Sequence, residues 1–162
     1  MGNRAVITTS RDVEVDKSND IGIYLHWNGG RDSVEAFLTY CRISGFRTPE
    51  YDCFGMARLC QVIANFFGDD GLSVGIGRCC QLDCDNYDNG VYIISNWQIV
   101  GRKFFSGDEQ DGHDLKKFVH EIDKAQPDGL RLGEEEIEKR LADLFGDTCA
   151  ERTRDFETGI KQ

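Results

Sequence analysis

The stretch IGIYLHWNGGRDSVEAFLTYCRISG, residues 21–45, predicts a strand, a tight turn and an amphipathic helix in direct succession. Alternating aliphatic residues indicate a strand that runs to His26. Asn28, Gly29 and Gly30 are typical of a sharp turn. The apolar positions that follow recur at the i, i+3, i+4, i+7 spacing of a helix. Gly45 is expected to end this helix. This unit places a polar corner between a strand and the first helix.

The other apolar runs predict four more strands and three more helices. Strands are expected at residues 4–10, 72–77, 91–95 and 98–105, and helices at 56–67, 115–125 and 134–145. The last two strands form a hairpin with Asn96 and Trp97 at its tip, where Trp97 would be exposed. We expect a single α+β domain over residues 1–162, in which four helices cover a small antiparallel sheet. Residues 1–106 would form a mixed core and residues 107–162 an acidic helical part.

The size and composition fit one ordinary domain, with 162 residues, of which 40% are hydrophobic and 30% charged. No apolar run reaches the ~18 residues that span a bilayer, and the first ten residues lack the pattern of a secretory signal. Seven cysteines, an odd number, argue against a disulfide framework. We therefore expect a cytoplasmic protein without a membrane partner. The glycine-rich strand at 72–77 could pair between chains.

The net charge of −10 is concentrated toward the C-terminus. From Gly107 onward the chain has sixteen acidic and nine basic residues, whereas the part before it is closer to balance. A surface this negative repels phosphate backbones and anionic lipids, because binding to them requires clustered Lys and Arg. Direct DNA binding is therefore not expected, and the expected partner is a basic protein.

A first candidate site consists of Asp83, Asp85 and Asp88, within the segment LDCDNYDNG. Carboxylates at this density can hold a hard cation, so a metal-dependent hydrolase or nuclease is one functional alternative. The spacing does not match a calcium-binding loop, and Asp, Asn and Gly are also typical of solvated turns. The neighbouring cysteines form no Cys-x-x-Cys pair that would indicate zinc. No cofactor is predicted.

A second candidate site is an anion-binding corner formed by His26, Asn28, Gly29, Gly30 and Arg31. Backbone amides that precede a helix N-terminus can receive an anion, and Arg31 adds a positive charge. A nucleotide-binding sponge is therefore a further alternative. No Gly-x-Gly-x-x-Gly or P-loop spacing is present, and a structural turn after a strand explains the same residues.

The leading functional prediction is that acidic side chains bind a basic partner. A docking surface for a basic partner is expected at the start of the fourth helix, formed by Glu134, Glu135, Glu136 and Glu138. It could be extended by Glu14, Asp16 and Asp20. Spaced carboxylates can imitate DNA phosphates and occupy the basic groove of a nucleic-acid enzyme. The alternative is a surface that only keeps the protein dissolved.

Three segments are similar to a family of small, acidic, uncharacterised proteins carried by phages and conjugative elements. They are LHWNGGRDSVEAFL (residues 25–38), LDCDNYDNGVYII (82–94) and HDLKKFVHEID (113–123). The resemblance covers most of the chain and implies a mobile-element context, without assigning a catalytic residue. Small acidic proteins of such elements often block restriction or CRISPR nucleases. We therefore predict a non-enzymatic inhibitor of a basic host partner, of the anti-restriction or anti-CRISPR type.

Overall fold

Five strands and four α-helices form the computed structural model of the chain, which describes residues 2–68, 73–110 and 112–146. The strands are β1 (Ala5–Thr8), β2 (Ile21–Leu25), β3 (Val74–Arg78), β4 (Val91–Ser95) and β5 (Gln98–Lys103). The helices are α1 (Arg31–Ile43), α2 (Cys53–Phe67), α3 (Leu115–Ala125) and α4 (Glu134–Phe145). These elements confirm the predicted α+β class with four helices. The first residue of the strand predicted at 72–77 and residues 147–162 of the predicted acidic part lie outside the described residues.

The strands form one sheet in the order β3-β2-β1-β4-β5. β1 and β2 pair antiparallel, as predicted, and β4 and β5 form the predicted hairpin. β1 and β4 are parallel, with Val6 opposite Val91, so the sheet is mixed where the sequence predicted an antiparallel one. The parallel pair arises because the connection from β3 crosses back and enters β4 at the end of the sheet where β1 begins.

Apolar side chains of all four helices pack on one face of the sheet. The stripe predicted for α1 is buried, and Phe37 on it contacts Phe66 of α2 and Phe118 of α3 edge to face. The centroid distances are 5.3 and 6.2 Å. Such a stripe drives helix docking because burial removes apolar surface from water. Among the described residues, no helix combines the length and apolar character needed to cross a bilayer.

The hairpin tip lies at Asn96 and Trp97, as predicted, with φ values of 51° and 59° that are typical of a two-residue turn. Trp97 is nevertheless buried, so the expectation that it would be exposed is wrong. Its indole Nε1 donates a hydrogen bond of 3.0 Å to the carbonyl oxygen of Phe46, after α1. The indole fills space beside α1, and the hydrogen bond satisfies its polar atom.

The second face of the sheet is covered by two loops, residues 9–20 and 79–90. A small apolar cluster holds them there; its buried members are Val6, Val15, Cys79, Cys84, Val91 and Ile93. The loops also bond to each other, since the amide of Cys80 donates to the carbonyl oxygen of Ser18 over 2.9 Å. Segments more than sixty residues apart therefore share one surface.

Candidate functional site

The predicted corner and the predicted carboxylate loop meet at one end of the sheet. At this end β1 and β4 begin and β2 and β5 end, and we refer to it as the polar edge. His26 follows β2 here, and its Nδ1 lies 3.1 Å from the hydroxyl of Tyr24. The ring of Trp27 meets the His26 ring edge to face at 5.2 Å. The anion-binding corner and the carboxylate loop, which the sequence indicated as two separate sites, therefore both lie at the polar edge.

Asn3 connects the glycines of the corner to β1. The amide of Gly29 donates to the carbonyl oxygen of Asn3 over 2.7 Å, and the amide of Asn3 donates to the carbonyl oxygen of His26 over 3.0 Å. The hydroxyl of Tyr92 donates to the carbonyl oxygen of Gly29 over 2.8 Å. The turn is therefore fixed from two sides, by β1 and by β4.

Arg31 and the N-terminal end of α1, two parts of the predicted anion-binding corner, are bonded within the chain. Arg31 donates through Nε to Glu35 over 2.6 Å and through Nη1 to Glu109 over 3.1 Å. The amide of Asp32, at the N-terminus of α1, donates to Oε1 of Gln110 over 3.3 Å. The positive end of α1 and the Arg31 side chain are thus covered by residues 109 and 110, which no sequence motif had indicated.

Arg102 anchors this covering segment to the sheet. Its guanidinium carbon lies 3.8 Å from the ring centroid of Tyr92 and 4.0 Å from that of Phe105. It also forms an ion pair with Glu109 and donates through Nη2 to the carbonyl oxygen of Asn89 over 2.7 Å. A guanidinium between two rings is a favourable cation–π arrangement, so Arg102 has a structural role.

Glu109 should make the stability of the protein depend on pH. Burial by itself raises the pKa of Glu109, but Arg102 and Arg31 outweigh it and hold the pKa below the usual 4.5. A carboxyl with a lowered pKa in the folded state stabilises above the pKa of the unfolded chain, and this contribution is lost as the pH falls through the folded pKa. We expect the free energy of unfolding to fall as the pH drops below about 4.5, and Glu109→Gln to reduce that fall.

Urea denaturation at several values between pH 7 and pH 3 measures this effect. The matched control is Asp108→Asn, because Asp108 is exposed and forms no ion pair with a described residue. Parallel pH profiles for the wild type and Glu109→Gln would contradict the expectation.

Arg4 joins two of the three carboxylates that were predicted to bind a metal. Its backbone amide donates to Asp88 over 2.9 Å, and its Nη1 lies 3.4 Å from Oδ2 of Asp83. Asp85 is exposed. The described residues hold no group of three or more His, Cys, Asp or Glu side chains placed to bind a metal ion. A guanidinium therefore supplies the positive charge beside Asp83 and Asp88.

The cysteines of the described region are free thiols. Burial raises the pKa of Cys41, Cys60 and Cys79. Burial also raises the pKa of Cys84 to about 12, with further contributions from Cys79, Asp16 and Asp83. These four thiols are protonated at neutral pH, so none of them is an activated nucleophile.

The predicted acidic surface on α4 is partly neutralised. Glu136 pairs with Arg140 at 2.7 Å, and Glu138 lies 2.5 Å from Lys116 and 2.8 Å from His120. The bonds from Lys116 and His120 lower the pKa of Glu138. Glu134 and Glu135 are exposed and form no ion pair with a described residue. Of the four predicted glutamates, these two retain uncompensated charge.

A second acidic surface lies on the two loops that cover the other face of the sheet. We refer to it as the loop surface and define it by the exposed residues Asp12, Glu14, Asp16, Asp20, Asp83, Asp85 and Tyr87; the exposed basic residues Arg11 and Lys17 lie on the first of these loops. Glu14 pairs with Lys17 and Asp83 with Arg4, but the other four carboxylates form no ion pair with a described residue. Asp16 and Asp83 both lie near enough to Cys84 to raise its pKa, which locates them on one side. Tyr87, on the second of these loops, is 87% exposed.

A shallow pocket of about 170 Å³ opens beside the N-termini of α1 and α3, lined by Asp32, His113, Asp114, Lys117, Phe118 and Glu121. Ligand pockets usually occupy ~300–1,000 Å³, so this one is small for a metabolite. His113 is held by Glu35, whose Oε2 lies 3.1 Å from Nε2.

Comparisons of the chain with protein-family models, curated proteins and solved structures found no match. Function has to be inferred from the surfaces and side-chain clusters themselves.

Proposed function

We propose that this chain is a non-enzymatic binding protein that docks on a basic surface of a protein partner through its loop surface. The main observation is that the carboxylates of Asp12, Asp16, Asp20 and Asp85, which form no ion pair with a described residue, lie on the two loops that cover one side of the sheet, and Tyr87 on the second loop is exposed. Like charges held together without compensation cost free energy, which a partner's Lys and Arg side chains would offset.

The composition of the loop surface suits a protein partner. Complementary charge increases the association rate and selects the partner, while an aromatic ring that becomes buried supplies affinity. Asp16 and Asp85 provide the charge and Tyr87 the ring. The exposed Val13 adds apolar area at the same loops.

The proposed partner is a nucleic-acid enzyme, such as a restriction or CRISPR nuclease of a host defence system. The basic groove of such an enzyme binds phosphates at regular spacing, and fixed carboxylates can occupy it in their place. We choose this partner class because of the mobile-element context expected from the sequence resemblance of residues 25–38, 82–94 and 113–123, which none of the compared proteins matched. Glu134 and Glu135 on α4, which the sequence predicted for docking, form the competing surface.

A charge-reversal experiment tests the docking surface. In the triple variant Asp16→Lys, Asp20→Lys, Asp85→Lys, we expect inhibition of the target nuclease to weaken by at least about 100-fold, because three reversed contacts cost about 3 kcal/mol together. The measurement is DNA cleavage by a panel of purified restriction and CRISPR nucleases, titrated with each variant. Inhibition by the wild type should weaken as salt increases.

The matched control makes the same charge change on the helical side, with Glu121→Lys, Glu134→Lys and Glu135→Lys. These three residues are exposed and form no ion pair with a described residue. A larger loss in the control would assign docking to the helical side, on α3 and α4, and contradict the loop surface. If the wild type neither inhibits nor binds any nuclease of the panel, the proposed partner class is wrong.

The metal-dependent hydrolase and the nucleotide-binding sponge stay predictions. The first must account for Arg4, which already contacts Asp83 and Asp88. The second must account for Glu109 and Gln110, which already contact Arg31 and the amide of Asp32. The loop surface needs no such rearrangement, which is why we favour docking.

A further inference from the structure

β3 is an edge strand whose outer backbone groups are oriented for another strand. Two hydrogen bonds of 2.8 Å show which residues on the β3 side bond to the β2 side. The amide of Cys79 donates to the carbonyl oxygen of Asp20, and the amide of His26 donates to the carbonyl oxygen of Ser73. Antiparallel pairing alternates between bonded and non-bonded pairs. The N–H and C=O groups of residues 74, 76 and 78 therefore point away from β2.

This edge lacks the usual features that prevent strand addition. β3 reads Val-Gly-Ile-Gly-Arg, with no proline, lysine or inward-pointing charge, and its one charged residue, Arg78, is the last. The opposite edge is protected better, because β5 has an irregular register against Ile93 and Ile94 and ends in Arg102 and Lys103. Natural sheets use bulges and terminal charges of this kind to block edge-to-edge pairing.

Two isoleucines beside this edge are exposed on the same face of the sheet. Ile76 of β3 is 57% exposed, and Ile21, the first residue of β2, is 44% exposed. Both lie on the helical face, because Ile76 is opposite Ile23 and Ile21 is two residues from Ile23. Together they leave an apolar strip next to a ladder that no described strand pairs.

We propose that the missing neighbour is β3 of a second copy of this chain, added antiparallel about a two-fold axis at Ile76. In that register Ile76 lies opposite its own copy, Val74 lies opposite Arg78 of the other copy, and the outward groups form about six hydrogen bonds. Ile76 of both copies then forms the apolar centre of the interface, while Ile21 lies one strand further from the axis, opposite Arg78 of its own chain. The pairing ends with two chains, because a two-fold interface uses the same patch on each.

A second copy fits better than a strand of another protein because the pattern is self-complementary. Reversing β3 about Ile76 exchanges Val74 with Arg78 and places Gly75 opposite Gly77, so no side chain lies opposite a like charge. The net charge of −10 on each chain opposes the dimer, so salt should strengthen it. Docking of the loop surface on a basic partner has the opposite salt dependence, which separates the two proposals.

Light scattering after size exclusion, between 1 and 100 µM chain and in low and high salt, tests the dimer. We expect a dimer at the upper concentrations, tighter in high salt, and at least a 10-fold increase in the dissociation constant for Ile76→Lys. Val100→Lys is the matched control: Val100 is a 50% exposed aliphatic residue on the other edge, and its substitution should leave the dimer unchanged. Ile76→Pro removes an outward N–H without touching the β2 ladder and should also give a monomer.

Hydrogen exchange supplies an independent readout. The amides of Val74, Ile76 and Arg78 should be protected in the dimer and exchange rapidly in Ile76→Lys, whereas those of Gly75 and Gly77 stay protected by β2 in both. A monomeric wild type at every concentration and salt would overturn the proposal, and it is the result expected if the edge serves a strand of another protein. Equal weakening by Val100→Lys would also overturn it.

Discussion

Asp123→Ala is expected to lower the free energy of unfolding by about 4 kcal/mol, one of the two largest effects of a single substitution that we anticipate. Asp123 is buried in α3 and accepts three hydrogen bonds. The donors are the hydroxyl of Tyr40 at 2.7 Å, the amide of Leu132 at 2.8 Å and the amide of Gly133 at 3.0 Å. Alanine would leave all three donors without this acceptor, and each unsatisfied buried donor costs about 1–3 kcal/mol.

Urea denaturation followed by circular dichroism measures this loss. Asp143→Ala is the matched control, because Asp143 is an exposed carboxylate on α4 and its removal should change stability by less than about 0.5 kcal/mol. Tyr40→Phe removes the one donor that α1 provides, so the double variant with Asp123→Ala should cost less than the sum of the single variants. A loss below about 1 kcal/mol for Asp123→Ala would show that the three bonds do not hold α1, α3 and α4 together.

Asp123 was counted only among the acidic residues that follow Gly107, although its position in the sequence indicates burial. Val119, Ile122 and Asp123 follow the i, i+3, i+4 spacing of the buried stripe, and Gln126 completes it at i+7. Both polar residues are buried. Gln126 donates through Nε2 to the carbonyl oxygen of Val62 over 3.2 Å. A polar residue on an apolar stripe should have been interpreted as a buried hydrogen-bonding group.

Helices and the hairpin could be predicted because their signals are local. Periodicity, a proline after α3 and glycines at helix ends lie within a few residues of the structure that they determine. The parallel pairing of β1 with β4 has no such signal, because the partners are more than eighty residues apart. The same holds for Arg4 between Asp83 and Asp88, and for the two loops of the loop surface. The candidate site was therefore found in pieces, and only the fold combined them.

The corner glycines show how one local pattern can arise from two physical causes. An anion site needs Gly29 and Gly30 so that backbone amides can approach a ligand, whereas a packed turn needs them only where another backbone passes closely. A Cβ on Gly29 would lie 2.5 Å from the carbonyl oxygen of Asn3 and 2.7 Å from the carbonyl carbon of Arg4. The backbone that leads into β1, at Asn3 and Arg4, therefore occupies the space that a ligand would need at Gly29.

Gly29→Ala is expected to lower the free energy of unfolding by about 3 kcal/mol, because the backbone of Asn3 and Arg4 leads directly into β1 and cannot move without disturbing the sheet. Gly30→Ala is the matched control, one residue away. Its Cβ would meet only side-chain atoms, at 2.8 Å from Oδ1 of Asp32 and 3.1 Å from Oε1 of Gln110, which can rotate. Gly30 has φ −66°, which alanine adopts freely, so its substitution should be close to neutral. Urea denaturation of both variants tests this expectation. Equal losses of stability, or a larger loss for Gly30→Ala, would mean that the close approach of the backbone at Asn3 and Arg4 is not the reason for a glycine at position 29.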